Sequence, residues 1–211
     1  MPESQIDPYL EKLDALGYFH QHVLEHMLLL GDPEQVKRPR YFDSLIGVNF
    51  LKAQTFVSFA LSVKTCESLP SIIRGMHSNI DAVGKALDIA DEIGRKGVDY
   101  IQGDIYTDAL EKYASDVVIA TPSGKFNAED ETKYKTNRLL EHRQVLNVGG
   151  FLYTPWIRER HNYELEDKLA EEGLEHTWVQ EYPSTTMMSF KSPEEKKEIK
   201  VRYWHTFERT S

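Results

Sequence analysis

The sequence predicts an α/β protein of three layers. A mostly parallel sheet lies between helices, with an amino-terminal helical cap and a carboxyl-terminal antiparallel hairpin. Three observations carry this. First, from Ile72 to Pro122 short apolar runs alternate with helical stretches: IIRGMHSN, IDAVGKALDIADEIGRKG, VDYIQGDIYTDALEKYA and SDVVIATP. That order is βαβαβ. Second, FLKAQTFVSFALSVKTCESL before it is long enough for the crossover that parallel strands require. Third, two strand-like runs close the chain, His176 to Tyr182 and Ile199 to Phe207, with the polar SPEEKKE between them. A length of 211 residues suits one such unit: a cap over 1–37 and the main domain over 38–211.

Each element has a local cause. In residues 8–30, Leu10, Leu13, Leu16, Phe19, Val23, Met27 and Leu30 recur at helical spacing, and GDPEQ ends the helix. Tyr41 to Ile46 reads as a first strand and Gly47 as its turn, which makes Asp43 to Asn49 a strand-to-helix loop. TFVSFALSV also has strand propensity, but the helix is preferred because it supplies the crossover. Ser71 to Met76 is the second strand, and Asn79 caps the helix that follows, with Asp81 in its first turn. Val98 to Ile101 and Asp116 to Ala120 are the third and fourth strands, with a helix through Leu110 and Tyr113 between them. Residues 129–146 form a charged helix, Asn147 to Gly150 a turn, and Phe151 to Thr154 a fifth strand. Glu164 to Glu172 is a helix stopped by Gly173.

Composition narrows the function. A formal charge of −9 disfavours extensive contact with a phosphate backbone, so no nucleic acid is expected as partner. Cys66 is the single cysteine, which excludes an internal disulfide and fits a reducing compartment. It reads as a small buried hydrophobe. MPESQIDPYLEK lacks the basic and apolar regions of a signal peptide, and no apolar run reaches about 18 residues. A cytoplasmic protein without a membrane partner is expected. The apolar amino-terminal helix admits a homodimer, or simply covers the sheet.

One metal-like pattern is present. His22-Val-Leu-Glu25-His26 matches the H-x-x-E-H arrangement of inverted zinc peptidases. The two histidines are one turn apart, and Glu25 is placed as a base for a metal-dependent hydrolase. No third ligand is assigned. The simpler reading is a polar helix face with exposed or capped histidines, and no metal is expected.

In open parallel sheets ligands bind at the carboxyl ends of the strands. That rule selects His77, Ser78, Asn79, Asp104, Ile105, Thr121 and Pro122. IDAVGKALDIADEIGRKGVDYIQGDIYTD, SDVVIATP, LNVGGFL and the closing hairpin together resemble the class I S-adenosylmethionine-dependent methyltransferases, over roughly residues 38–207. The resemblance implies a Rossmann-like methyltransferase fold with S-adenosylmethionine at the ends of strands one to three. It places Asp43, Gly47, His77, Ser78, Asp104, Ile105 and Thr121 at the cofactor, and Pro122 and Ser123 at a small-molecule acceptor. Two features depart from the family. Its first loop carries several glycines, whereas Asp43 to Asn49 has Gly47 alone. Its second strand ends in an acidic residue that accepts from ribose hydroxyls, whereas His77 stands there, neutral and able to accept. The alternative is therefore a catalytically inactive binding or scaffold protein.

No catalytic residue is singled out. His142, Tyr153 and His161 qualify as bases by type alone, and methyl transfer needs a base only if the acceptor must lose a proton. Asp104 serves equally as a helix cap. Trp156, Trp178 and Trp204 read as sheet or core residues, or as platforms for an aromatic substrate.

Overall fold

The computed structural model describes residues 15–50, 53–64, 69–92, 98–103, 114–120, 131–155, 160–184 and 200–211. Among them are seven strands and five helices: α1 (Ala15–Gly31), β1 (Ser44–Val48), α2 (Ala53–Lys64), β2 (Ile72–His77), α3 (Ile80–Glu92), β3 (Val98–Gln102), β4 (Ser115–Ala120), α4 (Glu131–Gln144), β5 (Leu146–Thr154), α5 (Tyr163–Glu171), β6 (Leu174–Ser184) and β7 (Lys200–Arg209). The strands form one sheet in the order β3-β2-β1-β4-β5-β7-β6. β1 to β5 run parallel, while β7 is antiparallel to both β5 and β6. The expected α/β architecture with its closing hairpin is observed.

Alternation along the strands divides the core in two. Leu45, Val117, Ile119, Phe151, Tyr153 and Trp204 face α1, α2 and α3. Ile46, Val118, Ala120, Leu152 and Phe207 face α4 and α5, where Leu139, Leu165 and Leu169 meet them. Both faces of β4 are thus covered, which is why SDVVIA is nearly continuous in apolar residues. The apolar face of α1 belongs to the same core: Phe19, Val23, Leu24 and Met27 are buried with the α2 residues. That packing accounts for the face without a second copy of the chain. Among the described residues no helix is long and apolar enough to cross a membrane.

Three expectations change. Gly47 does not form a turn but lies inside β1, paired with Gly75 of β2. The reason is packing. The Phe56 ring of α2 lies over both glycines, and a Cβ on Gly47 would stand 2.1 Å from its Cε2. Asn147 to Gly150 is not a turn before β5 but an irregular part of it. The ladder pairs Ser115 with Leu146 and then Val117 with Phe151. Gly149 has φ +81°, and a Cβ on Gly150 would stand 2.6 Å from the Asp116 carbonyl oxygen, so the looped-out strand requires both glycines. Thirdly, the α1 histidines are not a polar outer face. His20 is buried among Phe19, Phe56 and Phe59, and His26 is buried beside Phe151 and Tyr153.

Candidate functional site at the strand ends

The carboxyl ends of β1, β2, β3 and β4 share one edge of the sheet. Asn49 follows the last residue of β1 and has φ +52°, a left-handed conformation that asparagine tolerates far better than branched residues. Its N–H donates to the Met76 carbonyl at 2.9 Å, tying the end of β1 to that of β2. Gly103 N–H donates to the His77 carbonyl at 3.1 Å and does the same for β3. Phe50 turns inward from this edge. Its ring stacks on Phe56 at 5.0 Å and meets His77 edge-on at 5.2 Å.

His77 closes β2 and is half-buried. Its Nδ1 accepts the Asn79 N–H at 2.9 Å, so in the neutral ring the proton sits on Nε2. Burial lowers the pKa of this imidazole and favours that neutral form. His77 therefore presents a donor, where the sequence suggested an acceptor. Asn79 Oδ1 accepts the Asp81 N–H at 2.8 Å, and the Asn79 carbonyl accepts from Ala82 and Val83. Asn79 is the expected N-cap of α3, with Asp81 in the first turn. Ser78, beside them, is exposed.

The other predicted residues divide in two. Asp104, Ile105, Thr121, Pro122 and Ser123 lie outside the described residues. Asp43 lies at the opposite edge, just before the amino end of β1. Its N–H and that of Ser44 both donate to Asp116 Oδ2, and Asn147 Nδ2 donates to Oδ1. Asp43 and Gly47 thus do not share a ligand-facing loop. The fault lies in reading Gly47 as the end of the strand. Asn49, which the sequence reading passed over, is the position that turns, and asparagine after an apolar run was the available sign.

The H-x-x-E-H segment lies far from this edge in character. His22 and His26 stack at 6.2 Å, with Trp178 and Trp204 of the hairpin against them. His26 Nδ1 shares a hydrogen bond of 2.9 Å with the buried Tyr153 hydroxyl. Glu25 accepts from Gln21 one turn earlier. Burial lowers the pKa of both histidines to about 4, so both are neutral near pH 7. The same desolvation raises the Tyr153 phenol and keeps it protonated, which removes it as a base. His142 is also buried, with Nδ1 against the Arg138 carbonyl at 2.5 Å.

No protein-family model and no curated sequence matches the chain. Solved structures do. The chain is similar to a variant of the 16S rRNA (adenine(1408)-N(1))-methyltransferase from Catenulisporales acidiphilia, at TM-score 0.58 and 13% identity, over 80% of this chain and 86% of that one. It is similar to the N-methyltransferase NodS from Bradyrhizobium japonicum WM9 in complex with S-adenosyl-L-homocysteine, at 0.57 and 9%, over 97% and 93%. It is also similar to NSun6 from Pyrococcus horikoshii with SFG, at 0.54 and 11%, over 80% and 48%. The chain has the fold of the class I S-adenosylmethionine-dependent methyltransferases. At these identities the likeness is one of fold.

Proposed function

We propose that the protein is an S-adenosylmethionine-dependent methyltransferase acting on a small molecule. The observation that carries this is the edge where β1, β2 and β3 end. There Asn49 turns the chain, His77 offers Nε2–H, and Asn79 opens α3. A donor beside an exposed serine and a helix start is a set of partners that suits ribose hydroxyls. By resemblance to the family, Asp104, Ile105 and Thr121 are assigned to the cofactor and Pro122 and Ser123 to the acceptor. The bound cofactor supplies an electrophilic methyl group. The chain's residues have to hold acceptor and donor in line, and positioning of that kind supplies much of the rate without a dedicated base. The charge of −9 favours a small acceptor over a nucleic acid. A single cysteine, with no internal disulfide possible, is in keeping with a reducing, cytoplasmic setting.

Phe50 favours a second reading, a catalytically inactive binding or scaffold protein that has lost the cofactor, because its buried ring occupies the space over Phe56 and His77. One experiment separates the two. The purified chain is titrated calorimetrically with S-adenosylmethionine and S-adenosylhomocysteine. Micromolar binding, weakened about fivefold by His77→Ala, is the expected result, since one lost hydrogen bond is worth about 1 kcal/mol. Tight binding indifferent to His77→Ala moves the cofactor elsewhere. No binding at millimolar ligand leaves the second reading.

A further inference from the structure

Away from the strand ends, three metal-ligating side chains converge at the start of α5. His161 precedes the N-cap Asn162, Glu166 lies in the first turns of α5, and His176 comes from β6. The ligand atoms they offer all lie within 4.8 Å of one another. His176 Nδ1 stands 3.4 Å from Glu166 Oε2, and His161 Nδ1 stands 3.8 Å from Glu166 Oε1. Neither is the about 2.7–2.9 Å of a charged hydrogen bond. Two ligand atoms held at about 2.0–2.1 Å around a tetrahedral ion are about 3.3 Å apart, so the spacing is near that of a shared ion.

The surroundings fix these groups for that purpose. The β6–β7 ladder skips Thr177, and this bulge re-aims His176 onto the α5 side of the sheet, where it meets Phe207 at 5.1 Å. His176 Nε2 lies 3.0 Å from Nδ1 of the fully buried His205. If that contact carries the proton on Nε2 of His176, its Nδ1 lone pair is left toward Glu166. A ligand histidine held through its second nitrogen is the usual supporting arrangement at metal sites. Glu166 is held likewise: its Oε1 accepts the Asn162 N–H at 3.0 Å while Oε2 faces His176. His161 stacks on Tyr163 and is more than a third exposed, which leaves an entry path.

We propose that His161, Glu166 and His176 bind a divalent transition metal of the zinc class, with His205 as a positioning residue. Two imidazoles and one carboxylate suit zinc over magnesium or calcium, which prefer all-oxygen shells. Three protein ligands leave a fourth position for water or a small ligand. The metal joins α5 to β6, and the proposal does not depend on cofactor binding at the strand ends.

The test uses the full chain stripped with a chelator and titrated with zinc. A second stripped sample is titrated with cobalt in place of zinc, to read ligand geometry by visible absorption. One equivalent of zinc is expected, with a cobalt spectrum of tetrahedral type. His161→Ala, an exposed change, should weaken binding at least tenfold and alter the cobalt bands, and Glu166→Gln should do the same. His205→Gln should weaken it about 10- to 100-fold. His22→Ala should change nothing. Absence of zinc binding at millimolar metal overturns the proposal. So does full retention in His161→Ala, or loss in His22→Ala alone, which would put the metal on α1.

Discussion

Gly47→Ala is the sharpest test of how the sheet is covered. The added methyl would stand 2.1 Å from Phe56 Cε2 and 2.5 Å from Cζ, where ordinary contact begins near 3.4 Å. Something must give by about 1.3 Å, the difference between those distances. The ring has little room toward β2, because its other edge already lies close over the bare backbone of Gly75, where an added Cβ would stand 2.7 Å from Cε1. Phe50 blocks a second side, stacked on it at 5.0 Å. Either α2 lifts from the sheet or Phe56 leaves its rotamer. Overpacking of this kind costs typically about 1–3 kcal/mol, and the confinement puts Gly47→Ala at the upper end. With a urea m-value of about 2–3 kcal/mol/M the midpoint falls by about 1 M. Gly84→Ala is the control. Nothing lies within 4 Å of a Cβ there, so this helical substitution should be neutral or stabilise by up to about 1 kcal/mol. Phe56→Leu in the Gly47→Ala background should restore at least about 1 kcal/mol of the summed loss. Gly47→Ala within about 0.5 kcal/mol of the parent, or no coupling to Phe56, would refute the packing account. Gly47 would then return as a residue kept bare for a ligand.

Two further outcomes follow from contacts already described. Asp116→Ala removes the carboxylate that accepts from Asp43, Ser44 and Asn147, so it should lower stability by about 2–3 kcal/mol, and Asp116→Asn by about half as much, both by chemical denaturation. Acidification should destabilise the chain through His22 and His26. Their folded pKa of about 4 lies below the unfolded 6.5, so the unfolded state binds more protons between those values. Their stabilising contribution is present above pH 6.5 and is lost as pH falls toward 4, by about 3 kcal/mol for one group. Thermal melts from pH 7.5 to 4.5 should show this slope, and His22→Phe should flatten it. An unchanged slope would mean that this histidine is already charged or solvated in the fold.

The parallel core was legible because its signals are local. IIRGMH and SDVVIA are short, apolar and β-branched, and Asn79 with Asp81 marks a helix start wherever it occurs. The amphipathic face of α1 was legible for the same reason. Gly47 was misread because a glycine demanded by a distant ring looks identical in sequence to one demanded by a turn. The histidines of α1 were misread because their neighbours, Trp178 and Trp204, arrive from the other end of the chain. At the strand ends the sequence found His77 and Asn79 but assigned His77 the wrong hydrogen-bonding sense. That sense depends on the Asn79 N–H, which only the folded turn directs at Nδ1. Glu166 and His176 were missed altogether, since helix and strand bring them together at a spacing that no motif encodes.

The order β5-β7-β6 also governs how the sheet is completed. β6 precedes β7 in the chain, yet among the described residues its one neighbour in the sheet is β7. Until residues beyond Lys200 are in place, β6 is a strand with both edges bare, the condition under which chains pair wrongly with one another. β6 can therefore join the sheet only once β7 is present, whether the two strands pair first or β7 docks on β5 first. Trp204 on one face of β7 and Phe207 on the other make that docking a single event for both cores, closing the α1 side and the α5 side together.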